Sequence, residues 1–268
     1  MCVCRLAPFD ECASFIRMSS YRLFCIILSA TVFSACSNTT SENVTTQGIH
    51  ADIDVFANGT GRTFVDAELE VGHDGLARTS LELSPGDRLT VTANGIQKTM
   101  IEDMSVIGRF RYAASFDFDD AGTMFTVSFT RDSGVSAPNS NVTLPEGFLV
   151  QSPTSNDVLA QADNVPIAWT PSGTSIVPDI EVSLSCATNS GLVFTDTDAV
   201  TLSSDTGVAS FPVAAVIPIG TLDTSRLCEG EVRFSRWRRG NLDPNYGEGG
   251  SITAEHIERA QFFVDLRL

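Results

Sequence analysis

Short segments in which apolar and polar residues alternate recur along most of this 268-residue chain, and they constrain its fold more than any other feature. Between residues 109 and 118, every second side chain is apolar or small, namely Phe110, Tyr112, Ala114, Phe116 and Phe118. A period of two places one face of a strand on a core and the other face in water. The chain is therefore predicted to be all-β.

The alternating segments fall into two groups, each broken up by Gly, Pro, Asn and Asp. Predicted strands cover 49–56, 63–71, 79–83, 88–93, 109–118 and 124–131, followed by 147–151, 165–170, 179–186, 192–196, 208–213, 230–238 and 258–266. Evenly spaced short strands are typical of β-sandwiches. We expect two tandem β-sandwich domains, 49–132 and 142–268, joined by a linker at 133–141. Residues 252–260 are expected to form a short helical turn capped by Ser251 or Thr253.

The phrase Pro166-Ile167-Ala168-Trp169-Thr170-Pro171 resembles the early strand of immunoglobulin-like and fibronectin type III domains. The resemblance implies an immunoglobulin-like second domain in which Trp169 fills the core between two sheets. Here Trp169 precedes both Cys186 and Cys228, whereas antibody-type domains place the tryptophan between their cysteines. The resemblance implies an architecture and no functional residues.

Residues 18–36 have the layout of an export signal, with Arg22 before an apolar run and small residues before Cys36. The apolar run, 23–35, is shorter than the about 20 residues that a membrane-spanning helix needs. Residues 1–17 fit no normal signal because they contain three cysteines and two acidic residues. We therefore expect Met18 to be the true start and residues 1–35 to be absent from the mature protein.

The end of this signal, Phe33-Ser34-Ala35-Cys36, resembles the lipobox of bacterial lipoproteins, with Phe33 where leucine is usual. The resemblance implies that Cys36 is acylated, becomes the new N-terminus and anchors the protein in a membrane. Ser37 after the cysteine implies sorting to the outer membrane. An ordinary cleaved signal is the alternative. Residues 36–48, rich in Ser, Thr and Asn, are expected to form a flexible tether.

Two cysteines, Cys186 and Cys228, remain once the signal and Cys36 are set aside. Disulfides persist in the oxidising compartment that an export signal implies. We predict that these two residues form a disulfide. A metal site is the alternative, although two cysteines with no nearby histidine leave a tetrahedral shell incomplete.

The formal net charge of −16 argues against nucleic acid as a partner, because a strongly acidic chain repels phosphates. One basic cluster stands out, formed by Arg236, Trp237, Arg238 and Arg239, with Tyr246 in the loop that follows. Arginine and aromatic residues together are typical of binding hot spots. The cluster is a candidate site for an acidic glycan, a carboxylate or a partner protein. The alternative is a basic strand end that offsets the acidity of the chain.

Acidic clusters and histidines offer weaker candidates for chemistry. Asp117, Asp119 and Asp120 supply oxygens of the kind that calcium prefers, but the spacing lacks an established calcium-loop pattern, and solvated turns are the alternative. His50, His73 and His256 are scattered, and no Gly-x-Ser-x-Gly elbow accompanies them. No cofactor is predicted.

The sequence therefore favours a membrane-anchored envelope lipoprotein without catalytic activity that acts as a structural, adhesive or binding module, with a protein or glycan as partner. Recognition of a carbohydrate or small ligand through the Arg236–Tyr246 loop is the alternative function. An envelope hydrolase using carboxylates of the acidic clusters is the third.

Overall fold

The computed structural model describes residues 39–72, 78–104, 109–171, 173 and 176–268, which belong to one compact unit. Strands account for nearly all of the regular structure, so the predicted all-β fold is confirmed. The strands are β1 Thr39–Thr40, β2 Ile49–Ala57, β3 Thr63–Val71, β4 Thr79–Glu82, β5 Arg88–Ala93, β6 Ile96–Thr99, β7 Ile101–Met104, β8 Phe110–Phe116, β9 Met124–Thr130, β10 Ala137–Thr143, β11 Val150–Ser152, β12 Val158–Ala160, β13 Asn164–Trp169, β14 Asp179–Ala187, β15 Val193–Val200, β16 Val208–Pro212, β17 Cys228–Arg239 and β18 Gly250–Asp265. The described part of the chain also contains three single-turn 3-10 helices, at Ser41–Asn43, Thr46–Gly48 and Val213–Val216.

One large sheet runs through the whole unit, in the order β1-β4-β3-β2-β18-β17-β14-β15, with β8 also paired to β3, β7 paired to β8, and β12 paired to β18. Two small sheets cover one of its faces. A four-stranded sheet, β10-β9-β5-β6, encloses a first core, and a three-stranded sheet, β11-β13-β16, encloses a second. The described part of the molecule thus consists of two β-sandwiches that share the large sheet.

Alternation explains both cores. In β3 the side chains of Val65, Ala67 and Leu69 are fully buried, and those between them face away from the core. The second core is built around Trp169, whose ring packs against Phe234 of β17 at a centroid distance of 6.0 Å. Trp169 therefore fills the space between two sheets, as expected, while the immunoglobulin-like topology remains a prediction.

The strand β18 joins the two sandwiches, because its first half pairs in parallel with β2 and its last residues pair in parallel with β12. The helical turn expected at 252–260 is wrong, since all of these residues lie within β18. Ser251 and Thr253, the two candidate helix caps, instead donate hydrogen bonds to aspartates of β2. The hydroxyl of Ser251 donates to Asp52, and that of Thr253 donates to Asp54 at 2.6 Å across the parallel pairing.

Residues 133–141, expected to be a linker, instead contribute to the first sandwich. Ala137–Thr143 form β10, which pairs with β9 through a register shift and brings Ala137 and Val142 into the first core. The Ser-rich composition led to the wrong prediction, because a polar residue can be buried when it has a hydrogen-bond partner. Ser140 is buried, and its hydroxyl accepts from the amide of Asp243 in the loop between β17 and β18.

Residues 39–48, expected to be part of a flexible tether, pack against the first sandwich. Arg131, nearly fully buried, donates from its guanidinium to the carbonyl of Val44 at 2.8 Å and to that of Ser41. The Ser41 hydroxyl in turn donates to Asp87 Oδ2 at 2.7 Å, and Asp87 lies 3.4 Å from Arg131 Nε. One buried ion pair thus fixes this segment, a contact that polar composition does not reveal.

Candidate functional site

The outer face of the large sheet is polar and continues from one sandwich to the other. Strand register places the side chains of β3, β2, β18, β17 and β14 side by side on this face. We refer to it below as the outer face. It carries many carboxylates, including Asp52, Asp54, Asp66, Asp179 and Glu255.

Trp237 is the most exposed aromatic side chain on the outer face. It follows the buried Arg236 in β17, so the alternation of the strand turns it away from the core, and 54% of the residue is exposed. Its indole nitrogen donates to Asp179 Oδ2 at 3.0 Å. This hydrogen bond, made across to β14, fixes the ring over the face.

Glu255 lies directly opposite Trp237 in the β17–β18 pairing. Its Oε1 accepts from Arg233 Nη2 at 2.6 Å and from the hydroxyl of Ser235, while Arg233 also lies 3.5 Å from Glu181. With Trp237, these side chains line a shallow groove of about 460 Å³. The groove combines an aromatic surface with preset acceptors, which suits a ligand that carries both apolar and hydroxyl groups.

A second open groove, of about 720 Å³, adjoins the first on the same face. Phe56 and Phe64 are half-buried there and stack at a centroid distance of 5.3 Å. Arg111 bridges Asp66 at 3.3 Å and Asp103 at 2.8 Å across the groove. Burial raises the pKa of Asp66 above its usual 3.8, and the neighbouring Asp54 adds to the rise while Arg111 opposes it.

The predicted basic cluster is not a single site. Arg236 is fully buried, with Nη2 2.8 Å from Asp205 Oδ2, Nη1 2.8 Å from the carbonyl of Gly147 and the guanidinium over the ring of Phe148. It therefore holds the second core together and cannot meet a ligand. Arg239 is exposed at the end of β17 and Arg238 is half-buried, so of the cluster Trp237 and Arg239 remain on the outer face.

Tyr246 is also unavailable to a ligand, because the loop between β17 and β18 docks on the first sandwich. Its ring is 4% exposed and stacks on Phe129 at 6.4 Å. Asn141 and Asn241 exchange backbone hydrogen bonds at 2.8 and 2.9 Å, and Asp243 accepts from the amide of Asn139. The expectation that this long loop forms a binding surface is wrong, since it serves as a contact between the sandwiches.

The acidic clusters make local contacts. Asp117 pairs with Arg62 at 3.3 Å, and Asp119 accepts from the amide of Gly61 at 2.9 Å. No group of three or more potential metal ligands is found among the described residues. The calcium site at Asp117, Asp119 and Asp120 thus receives no support from geometry.

Two histidines lie within the described residues, and neither contacts a nucleophile. His50 faces Asp52 Oδ2 and the carbonyl of Glu248, each at 3.0 Å, and the nearby Ser251 hydroxyl bonds to Asp52 and not to the imidazole. His256 is buried, and burial lowers its pKa below the usual 6.5. His73 lies outside the described residues.

The predicted disulfide is confirmed, with Cys186 Sγ and Cys228 Sγ 2.07 Å apart. It links β14 to the residue at which β17 begins. The export signal, including Cys36, lies outside the described residues. No helix in the described part of the chain is long and apolar enough to span a membrane.

Sequence reasoning missed the residues that build the outer face, namely Phe56, Phe64, Asp179 and Glu255. One signal was available, because Phe56 and Phe64 occupy positions in β2 and β3 that alternation assigns to the polar side. No protein-family model matches the chain, and no curated protein resembles it closely enough to count as a match.

Proposed function

We propose that the chain is an exported envelope lipoprotein whose folded part is a non-catalytic module that binds a glycan on the outer face. The observation that carries the proposal is the exposed indole of Trp237, fixed by Asp179 beside Glu255 and Arg233. Pyranose rings present C–H groups that pack on an aromatic face, and their hydroxyls bond to carboxylates and guanidinium groups. A sheet face is also a known surface for oligosaccharides in other β folds.

The charges favour a neutral glycan over an acidic one. Arg233 is already paired with Glu255 and Glu181, and Arg236 is paired with Asp205. The surrounding carboxylates repel uronic acids, sulfates and phosphates. The run of arginines in the sequence suggested an acidic ligand, whereas the observed ion pairs and carboxylates favour an uncharged one.

The anchoring part of the proposal depends on residues 18–36. A short apolar run followed by Phe33-Ser34-Ala35-Cys36 supports acylation of Cys36, and Ser37 supports the outer membrane as destination. The disulfide between Cys186 and Cys228 fits an oxidising compartment.

Binding is tested with an array of neutral and uronic-acid-bearing oligosaccharides and the mature protein. Trp237→Ala is expected to abolish binding, and Trp237→Phe is expected to keep part of it. Phe194→Ala removes another half-exposed ring, on β15, and serves as the matched control that keeps full binding. Equal binding by the Trp237→Ala variant, or cleavage of a bound oligosaccharide, would contradict the proposal.

Anchoring is tested by labelling cells with a palmitate analogue. The natural chain is expected to carry label and to fractionate with the outer membrane, and Cys36→Ala is expected to carry none. An unlabelled natural chain would contradict acylation of Cys36.

A purely structural role is the second candidate. The observation in its favour is the large sheet that both sandwiches share. A continuous sheet with parallel β2–β18 and β12–β18 pairing makes a stiff spacer. This role requires no ligand. It becomes the better account if no oligosaccharide on the array binds.

A further inference from the structure

The structure assigns a row of side chains across five strands as a binding track for a linear, uncharged glycan of several sugar units. This inference rests on the proposed function and extends it, since it names the shape and chain length of the ligand. The row consists of Ser115, Phe64, Phe56, Glu255 and Trp237, which lie on β8, β3, β2, β18 and β17.

Register places these five side chains in one line. Phe64 pairs with Ser115 and with Phe56, Phe56 pairs with Glu255, and Glu255 pairs with Trp237. Neighbouring strands lie about 4.8 Å apart, so the three steps from Phe64 to Trp237 span about 14 Å perpendicular to the strands. That length exceeds a single sugar ring and crosses from the first sandwich to the second.

The row contains the two kinds of contact that a sugar chain needs, aromatic rings and hydrogen-bonding groups. Phe56 and Phe64 stack on one another at one end, with Arg62 over the Phe64 ring, so this pair offers ring edges. Trp237 provides an indole at the other end, and Glu255 lies between them. Within the described residues, both hydrogen bonds that the Glu255 side chain accepts reach Oε1. Its Oε2 is the oxygen that a sugar hydroxyl would reach in the middle of the track.

A second row, of hydrogen-bonding groups, runs parallel to the first. Its members, in the same strand order, are Asp66, Asp54, Thr253 and Arg239. Each lies two residues along its strand from the corresponding member of the first row and also faces outward. Two residues along a strand correspond to about 6.6 Å, so these groups flank the aromatic row within the width of a sugar chain. The indole of Trp237 and the edges of the phenylalanine rings beneath the chain, with hydroxyl partners at its side, form a groove for a polyol.

Charge selects the occupant among linear polymers. The track and its flank carry Glu255, Asp66 and Asp54, of which Glu255 is paired with Arg233 and Asp66 with Arg111, while Lys98 and Arg239 lie at the two ends. A nucleic acid or a polyuronate would bring a row of anions against these carboxylates. An uncharged glycan meets no such repulsion.

The test compares disaccharides with hexasaccharides of the neutral glycans that bind on the array, by isothermal titration of the mature protein. The natural protein is expected to bind the hexasaccharide at least about tenfold more tightly than the disaccharide. Phe56→Ala is expected to remove this gain while disaccharide binding at Trp237 persists, and Phe56→Tyr is expected to restore it. Phe194→Ala is the control ring outside the row.

The outcomes separate the two proposals. If Phe56→Ala keeps the full gain with chain length, the ligand is confined to the groove at Trp237, so the track is wrong while glycan binding stands. Tighter binding of polyuronates than of neutral chains would also overturn the track. If no oligosaccharide binds the natural protein, both proposals fail.

Discussion

The guanidinium of Arg236 and the carboxylate of Asp205 form an ion pair, with Nη2 2.8 Å from Oδ2, between walls of the second sandwich. Asp205 Oδ1 also accepts the indole N–H of Trp169 at 2.7 Å. A single carboxylate thus connects β17 of the large sheet to β13 of the small one.

Removal of this carboxylate is expected to be severe. Asp205→Ala leaves a fully buried guanidinium without its counter-ion, and breaking such a pair costs about 3–5 kcal/mol. Urea denaturation measures the change in the free energy of unfolding. Glu231→Ala is the matched control, because Glu231 also lies on β17 and forms an exposed ion pair with Arg259 of β18. Its loss should cost no more than about 1 kcal/mol. Similar losses for the two variants would contradict this view of Asp205.

Two buried tyrosines should respond in opposite ways to loss of the hydroxyl. The Tyr112 hydroxyl accepts from the amide of Leu83 at 2.9 Å and donates to the carbonyl of Leu81, so Tyr112→Phe should cost about 1–2 kcal/mol. The Tyr246 hydroxyl is buried without a hydrogen-bond partner in the part of the chain that the structure describes. Tyr246→Phe should therefore leave the free energy of unfolding unchanged or raise it. Thermal unfolding of the two variants side by side checks both expectations, and a larger loss for Tyr246→Phe would be inconsistent with them.

Stability should fall as the pH drops below 6.5 because of His256. Burial lowers the pKa of this imidazole in the folded state, with Arg236 also disfavouring its charge and Asp119 opposing the shift. Just below pH 6.5 the unfolded chain binds a proton that the folded chain does not, so protonation favours unfolding. Well above pH 6.5 both states hold the neutral imidazole, and the contribution of this group to the pH dependence vanishes. Urea midpoints measured for the natural protein and for His256→Gln should converge as the pH is lowered through this window. A parallel decline in the two proteins would assign the pH dependence to other groups.

The strand β15 ends the large sheet, and two aspartates protect its free edge. Asp196 Oδ1 accepts from the amide of Thr197 at 2.9 Å, and Asp198 Oδ1 accepts from that of Ala199 at 2.8 Å. In an antiparallel ladder alternate amides point away from the partner strand, and at an edge strand such amides can pair with another chain unless a side chain occupies them.

Loss of both acceptors should expose this edge. The variant Asp196→Ala/Asp198→Ala is expected to self-associate at concentrations at which the natural protein does not, because half-exposed Phe194 lies on the same strand. Sedimentation velocity measures the change. The variant Asp196→Asn/Asp198→Asn keeps an oxygen acceptor and loses the charge, so it should associate less than the alanine variant. Equal association of the two variants would point to charge and not to capping.

Local patterns predicted the strands well, since β3 and β5 begin and end where alternation placed them. Long-range pairing was not predictable, because the parallel contact between β2 and β18 joins residues about 200 positions apart and leaves no local signature. Arginines were read as surface residues, and only the position of Asp205 explains why Arg236 is buried. The outer face was missed for a related reason. Phe56, Glu255 and Trp237 become neighbours through pairing alone.

If Cys36 carries lipid as proposed, the contact of Arg131 with Val44 and Ser41 limits how far the protein can reach from a membrane. Ser37 and Asn38 are then the two residues between the acylated position and Thr39, where β1 begins. Three residue steps extend no further than about 10 Å. A connection of that length would keep the first sandwich near the headgroups, so a polymer would have to reach it next to the bilayer.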